Sequence, residues 1–217
     1  MFTVIEGLDG SGKSTQVRLL EAHLSEQGKD FLHIKLPDYE SDSSALVKMY
    51  LAGEFGSNAA DVNVYAASAF YAVDRFANFH TKWKNAYESG KDIIADRYTT
   101  SNAIYQLAKL EKSQWDAYLD WLSDFEYIKM GIPQPDKVIY LDMPIDISQR
   151  LMSKRYAGDE SKKDVHEKNI AFLECCREAA LYTAKKWNWQ VISCAAGEVP
   201  RSREDIHSDI LRAFEAR

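Results

Sequence analysis

Gly7-Leu8-Asp9-Gly10-Ser11-Gly12-Lys13-Ser14 constrains this chain more than any other stretch. It follows an apolar, β-branched run at Phe2–Ile5 and opens a helical stretch at Lys13–Glu26, where Val17, Leu20 and Leu24 recur at spacings of three and four. A strand, a G-x-x-x-x-G-K-[ST] loop and a helix in that order form a phosphate cradle. Glycines let the backbone wrap a phosphate with several N–H groups turned inward, and the positive end of the helix dipole adds attraction. In this pattern Lys13 reaches the β- and γ-phosphates and the Ser14 hydroxyl ligates Mg²⁺. The motif argues for nucleoside triphosphate binding and leaves the reaction open.

The rest of the chain repeats the strand–helix alternation. Further apolar runs at Phe31–Leu36, Ile93–Ala95, Val138–Leu141 and Gln190–Ser193 are candidate buried strands. Helical stretches lie between or after them at Asp61–Glu88, Asn102–Ser123, Lys163–Lys186 and Arg203–Ala216. Strands separated by helices imply βαβ units and a doubly wound α/β sheet. With 217 residues, 46% of them hydrophobic and 28% charged, one compact domain is expected. Gly131-Ile132-Pro133-Gln134-Pro135-Asp136 stops a helix and launches the fourth strand. Ala157–Lys163 is polar without an apolar anchor and reads as an excursion or lid.

Charge and cysteine content narrow the partners. Twenty-seven basic and 33 acidic side chains leave a net charge of −6, which argues against nucleic acid polymers and anionic membranes as partners. No apolar run approaches the ~18 residues of a membrane span. Cys175, Cys176 and Cys194 fit no zinc or disulfide framework, so a reducing, cytoplasmic setting is expected. The acidic total does not exclude a local cationic pocket. Of 10 arginines, four (Arg75, Arg97, Arg150 and Arg155) fall at or beside the expected sites.

A second anchor ends the third strand, at Asp96-Arg97-Tyr98. Ligands of open α/β sheets sit beyond the carboxyl ends of strands. A carboxylate there suits Mg²⁺, directly or through water, and an arginine suits a second phosphate by bidentate hydrogen bonding. A plain Asp–Arg ion pair is the competing reading. Tyr71 and Arg75 share one helical face four residues apart. They suit stacking on and hydrogen bonding to a planar base, or core packing with a snorkelling arginine.

Through these sites the chain resembles the thymidylate kinase family over nearly its whole length. The resemblance is carried by Phe2–Gln16, by Asp96-Arg97-Tyr98 with Ser101 and Tyr105-Gln106 downstream, by Pro135–Asp142, and by Asp164 and Glu167. It implies a three-layer α/β/α P-loop NTPase fold with a five-stranded parallel sheet. Residues 1–217 would form a single kinase domain with a short lid near 154–164. The activity implied is ATP-dependent phosphorylation of dTMP to dTDP with Mg²⁺, by an enzyme that is typically a homodimer.

Residue by residue, the resemblance puts Gly7, Asp9, Gly10, Ser11, Gly12, Lys13, Ser14 and Thr15 on the donor phosphates, with Asp9 also contacting the acceptor side. Arg97 holds the acceptor phosphate with Asp96 as its metal-side neighbour, so Ser14 and Asp96 are the metal candidates. Tyr71 stacks on thymine and Arg75 contacts the base, while Ser101, Asn102, Tyr105 and Gln106 wall the base and sugar. Arg150 and Arg155 flank the lid. Some members carry an arginine inside the phosphate loop, where this chain has Gly10; others supply a lid cation. Lys154, Arg155, Lys162 and Lys163 are the candidates here, and Arg155 is preferred because a planar fork spans transferring oxygens.

Three departures concern the acceptor side or the lid. The second strand ends Leu36-Pro37-Asp38-Tyr39, without the arginine that the family usually has near Tyr39. Asp164-Val165-His166-Glu167 lacks an arginine inside the acidic pair, and a helical tyrosine is replaced near Ala180. A kinase for another deoxynucleotide or deoxynucleoside, and a nucleotide-binding protein without catalysis, are the alternatives these departures leave open.

Overall fold

The computed structural model describes residues 1–56, 61–153 and 169–216, with the backbone alone at 154 and 155. The lid segment near 154–164, with Lys162, Lys163, Asp164, His166 and Glu167, lies outside the described residues, as do the side chains of Lys154 and Arg155.

In chain order the elements are β1 (Phe2–Gly7), α1 (Lys13–Glu26), β2 (Phe31–Lys35), α2 (Ala45–Leu51), α3 (Val64–Asn78), α4 (Lys84–Glu88), β3 (Asp92–Asp96), α5 (Thr99–Tyr105) and α6 (Trp115–Ser123). They continue with β4 (Lys137–Asp142), α7 (Ile145–Arg155), α8 (Ile170–Lys186), β5 (Gln190–Ser193), β6 (Ala195–Ala196), β7 (Val199–Pro200) and α9 (Arg203–Glu215). The expected α/β class holds: five strands form one parallel sheet in the order β2-β3-β1-β4-β5. Every expected strand is present, most of them a residue or two longer than the apolar run. A two-stranded antiparallel hairpin, β6–β7, is additional.

Two expected helices are broken. Asp61–Glu88 divides into α3, a π-helical turn at Phe79–Trp83 and α4. The wider turn lets Phe79 and Trp83 both point inward, with ring centroids 4.6 Å apart. Asn102–Ser123 divides into α5, two short 3₁₀ turns and α6. Trp115 Nε1 donates to the Leu110 carbonyl at 3.1 Å, satisfying backbone where the helix is interrupted. Helices α2 and α7 had no separate expectation.

The described residues group into two compact units. The first comprises Met1–Val4 and Phe31–Asp136, the second Ile5–Asp30 and Lys137–Arg217. In the first, Phe2 meets Tyr98 edge-on at 5.0 Å and Trp83 at 5.3 Å, and Ile93, Ile94, Ile104, Leu107, Tyr118 and Leu119 complete a fully buried core. In the second, Val17, Leu20 and Leu24 of α1 and Ile206, Ile210 and Phe214 of α9 are buried. Gln16 Nε2 donates to the Arg203 carbonyl at 2.9 Å, joining these two helices at one end.

Candidate active site

The phosphate loop lies in the second unit. Gly10 and Gly12 have φ of 80° and 90°, the left-handed region that glycine enters without a Cβ penalty. A Cβ on Gly10 would also stand 3.0 Å from Met152 Cγ and from the Ser148 carbonyl of α7, so a larger residue there requires α7 to give way by a few tenths of an ångström. Gly7 is similarly confined, 2.6 Å from Ser11 Oγ if it carried a Cβ. The Ser11 amide donates to the Leu8 carbonyl at 3.1 Å, and the Thr15 and Gln16 amides fold back on the Gly12 carbonyl to start α1.

Around this loop is a cavity of about 610 Å³. Asp9, Gly10, Ser11, Gly12, Lys13, Ser14 and Thr15 all line it, so the structure gathers the expected phosphate-binding residues, Gly7 excepted, into one concave surface. Met143, Leu151, Met152 and Pro200 give it an apolar end, and Arg201 and Arg203 add cations that sequence reading had not singled out. Arg150 does not line the cavity. Its Nη2 donates to the Glu198 carbonyl at 2.6 Å, fastening α7 to the β6–β7 turn. Asp142, at the carboxyl end of β4, receives a bidentate pair from Arg177 at 2.7 and 2.8 Å.

The Asp-Arg-Tyr segment lies in the first unit. Asp96 is buried at the end of β3, and its carbonyl accepts from the Leu36 amide at 3.1 Å. Arg97 has φ 70°, a conformation that costs a non-glycine residue roughly 1–2 kcal/mol. Such strain persists where the surroundings over-determine it and concentrates at functional sites. Here it turns the guanidinium toward α5. Arg97 Nη1 lies 3.4 Å from Ser101 Oγ and 3.3 Å from the Tyr105 hydroxyl, over whose ring it also sits. The structure therefore brings Arg97, Ser101 and Tyr105 together.

Tyr71 is half-buried on α3, with its ring edge-on to Tyr50 at 6.3 Å. Burial, then the neighbouring Tyr39 and Tyr50, push its phenol above the ordinary tyrosine value, against the opposing pull of Arg75 and Arg97. Tyr71 thus feels the charge of both arginines. Lys109 Nζ donates to the Tyr50 hydroxyl at 2.5 Å and stands over its ring.

Arg75 and Asn102 are engaged by other protein groups, whereas Gln106 keeps an open acceptor. Arg75 is buried, and its guanidinium pairs with Glu126: Nε to Oε2 at 2.6 Å and Nη2 to Oε1 at 2.5 Å. Burial works against its charge, but Glu126 outweighs this and holds the guanidinium above its usual value. Its fork thus faces the Glu126 carboxylate. Asn102 Nδ2 donates to the Ser68 carbonyl at 3.2 Å, committing the amide to helix packing. Gln106 is buried with Oε1 lacking a hydrogen-bond partner, an acceptor that a ligand donor would satisfy.

Asp38, Asp74, Lys82 and Glu126 join hydrogen-bond networks around α3. Asp74 is fully buried and accepts from the Asp38 amide at 2.9 Å and the Ser43 hydroxyl at 2.6 Å. Asp38, which stands in the strand-end segment without the family's arginine, pairs with Lys82 and accepts from Asn78 Nδ2 at 2.9 Å. Glu126 accepts from the Thr99 hydroxyl at 2.7 Å, and that hydroxyl also meets the Tyr127 phenol. Asp74 and Lys82 lie in the stretch expected as one helix, Asp61–Glu88, and Glu126 belongs to no motif, so no local pattern marks these partners.

The family model for thymidylate kinase matches residues 5–210. A probable thymidylate kinase of Thermococcus onnurineus is 32% identical over 217 residues, covering 99% of this chain and 97% of that one. Thymidylate kinase of Mycobacterium tuberculosis is 29% identical over 200 residues, covering 88% and 91%. A solved thymidylate kinase of Candida albicans superposes with a TM-score of 0.72 at 23% identity, covering 99% of this chain and 90% of that one, which supports the fold. Sequence family, chain coverage, phosphate loop and Asp-Arg-Tyr turn agree: this chain belongs to the thymidylate kinase family.

Proposed function

We propose that this chain transfers the γ-phosphoryl group of ATP to dTMP, giving dTDP and ADP. An anionic oxygen of the dTMP phosphate forms the new P–O bond as the bond from the γ-phosphorus to the β–γ bridging oxygen breaks. A monophosphate oxygen is already charged near pH 7, so no strong general base is needed. The chemistry asks for positioning and charge neutralisation. Lys13 and the loop amides hold the donor phosphates, and Arg97 fixes the acceptor phosphate. Tyr71 offers a face for a base, and Gln106 Oε1 offers an acceptor.

Among the described residues no three His, Cys, Asp or Glu side chains cluster as a metal site. That suits Mg²⁺, which arrives on nucleotide phosphates and takes only one or two protein ligands. Ser14 is the donor-side ligand proposed, with Asp96 as the carboxylate candidate. When bound, Mg²⁺ neutralises phosphate charge. We take residues 1–217 as one kinase domain whose lid, near 154–164, supplies Arg155. We also take it to be cytoplasmic and homodimeric. Among the described residues no helix is long and apolar enough to cross a membrane. Tyr65, Val73 and Phe76 expose apolar surface on α3 that suits a partner copy.

The observation that carries the reading is the left-handed Arg97, aimed at Ser101 and Tyr105. A panel of nucleoside monophosphates and deoxynucleosides, with ATP and Mg²⁺, tests it. Turnover led by dTMP supports the reading. Turnover of another acceptor with none of dTMP would favour the second reading, which the Asp38 carboxylate motivates by standing in a segment where the family carries a cation.

A further inference from the structure

We propose that Glu126 is a positioning residue for the acceptor site, holding the turn that presents Arg97. The inference rests on the reading of Arg97 as the group that grips the acceptor phosphate.

Glu126 lies in a π-helical turn, Asp124–Lys129, and is fully buried. A buried carboxylate is costly unless its oxygens are satisfied and its charge is balanced. Both conditions are met, and the way they are met points at residues 98 and 99. Oε1 accepts from Arg75 Nη2, and Oε2 accepts from both Arg75 Nε and the Thr99 hydroxyl. Arg75 then extends Nη1 to the Tyr98 carbonyl at 3.4 Å. One carboxylate thus grips Thr99 directly and Tyr98 through Arg75, the two residues that follow Arg97. An ion pair serving packing alone has no need of the Thr99 bond at the first turn of α5.

The gripped turn is a strained one. Arg97 occupies left-handed backbone, and Tyr98 is extended at φ −159° before α5 begins. A non-glycine residue stays left-handed only when its neighbours leave no easier choice. Tyr98 is fixed further by its hydroxyl, which donates to the Pro133 carbonyl at 3.0 Å. Released from Glu126, the 98–99 peptide can rotate, Arg97 can relax, and its guanidinium leaves Ser101 and Tyr105.

The test is steady-state kinetics on Thr99→Val, Glu126→Gln, Arg97→Ala and the two doubles with Arg97→Ala, each with its thermal midpoint. Thr99→Val keeps the buried ion pair, so it remains informative if Glu126→Gln does not fold. We expect the dTMP KM to rise about three- to tenfold in Thr99→Val and at least about tenfold in Glu126→Gln, with the ATP KM within about twofold. On the Arg97→Ala background neither change should lower kcat/KM for dTMP further, because the effect passes through Arg97. Lower thermal midpoints with an unchanged dTMP KM would overturn the proposal, and so would full additivity with Arg97→Ala. If the wild-type chain uses another acceptor, the dTMP assignment fails. The same split, read with that acceptor, then decides the role of Glu126.

Discussion

Nη1 of Arg97 lies 3.3 Å from the Tyr105 hydroxyl, and its guanidinium carbon stands 5.4 Å from the centre of the same ring. Tyr105 thus holds the arginine by an edge contact and by its face. Tyr105→Phe removes the hydroxyl and leaves the cation–π contact. The dTMP KM should rise about two- to tenfold, the worth of one hydrogen bond, with the ATP KM unchanged. Saturation curves for each substrate check this.

Gly10 meets α7 at contact distance and sits at φ 80°. Gly10→Ala should lose about 1–3 kcal/mol of stability from backbone strain alone, with a further penalty from the Ser148 and Met152 contacts. The ATP KM should rise as the loop deforms. Denaturant unfolding and ATP saturation measure the two effects.

Arg75 and Glu126 are 4% and 0% exposed at their side chains, so cutting the pair leaves a buried charge alone. Arg75→Met should cost about 3–5 kcal/mol, and the double change Arg75→Met, Glu126→Leu should recover a large part of that. Urea unfolding of the three proteins shows whether the single change is worse than the double.

Asp38 has its carboxyl held below the usual carboxylate range, first by the hydrogen bond from Lys82, against a smaller opposing effect of burial. A depressed native value stabilises the fold above the unfolded value near 4 and loses that contribution as pH falls through the native one. Lys82→Met should therefore flatten the loss of stability below about pH 4 relative to wild type. Unfolding free energies between pH 7 and pH 2 test the sign. Asp209, lowered chiefly by Arg201, adds to the wild-type slope and is untouched by this change.

The β-branched runs located all five sheet strands, and most cleanly the central β1, β3 and β4, whose burial leaves no polar alternation to confuse the pattern. The phosphate loop was legible for a similar reason: its glycines answer a backbone demand that few other sequences meet. Helix interruptions were not legible. Phe79–Trp83 and Leu107–Gln114 hold no proline or glycine; Trp83 packs there on the distant Phe2 and Tyr98, and Trp115 bonds back to the Leu110 carbonyl. The candidate acceptor site was half legible. Arg97, Ser101 and Tyr105 follow from one local motif, whereas Arg75 turned out to be paired with Glu126, 51 residues away. Spacing on one helix cannot reveal a partner on another.

Arg97 is central to the proposed dTMP kinase activity as the residue that holds the acceptor phosphate. The direct measurement is Arg97→Ala, with dTMP and ATP varied separately at saturating co-substrate. The dTMP KM should be at least about tenfold higher or kcat correspondingly lower, with the ATP KM within about twofold. A selective loss of ATP binding with dTMP handling intact would contradict it.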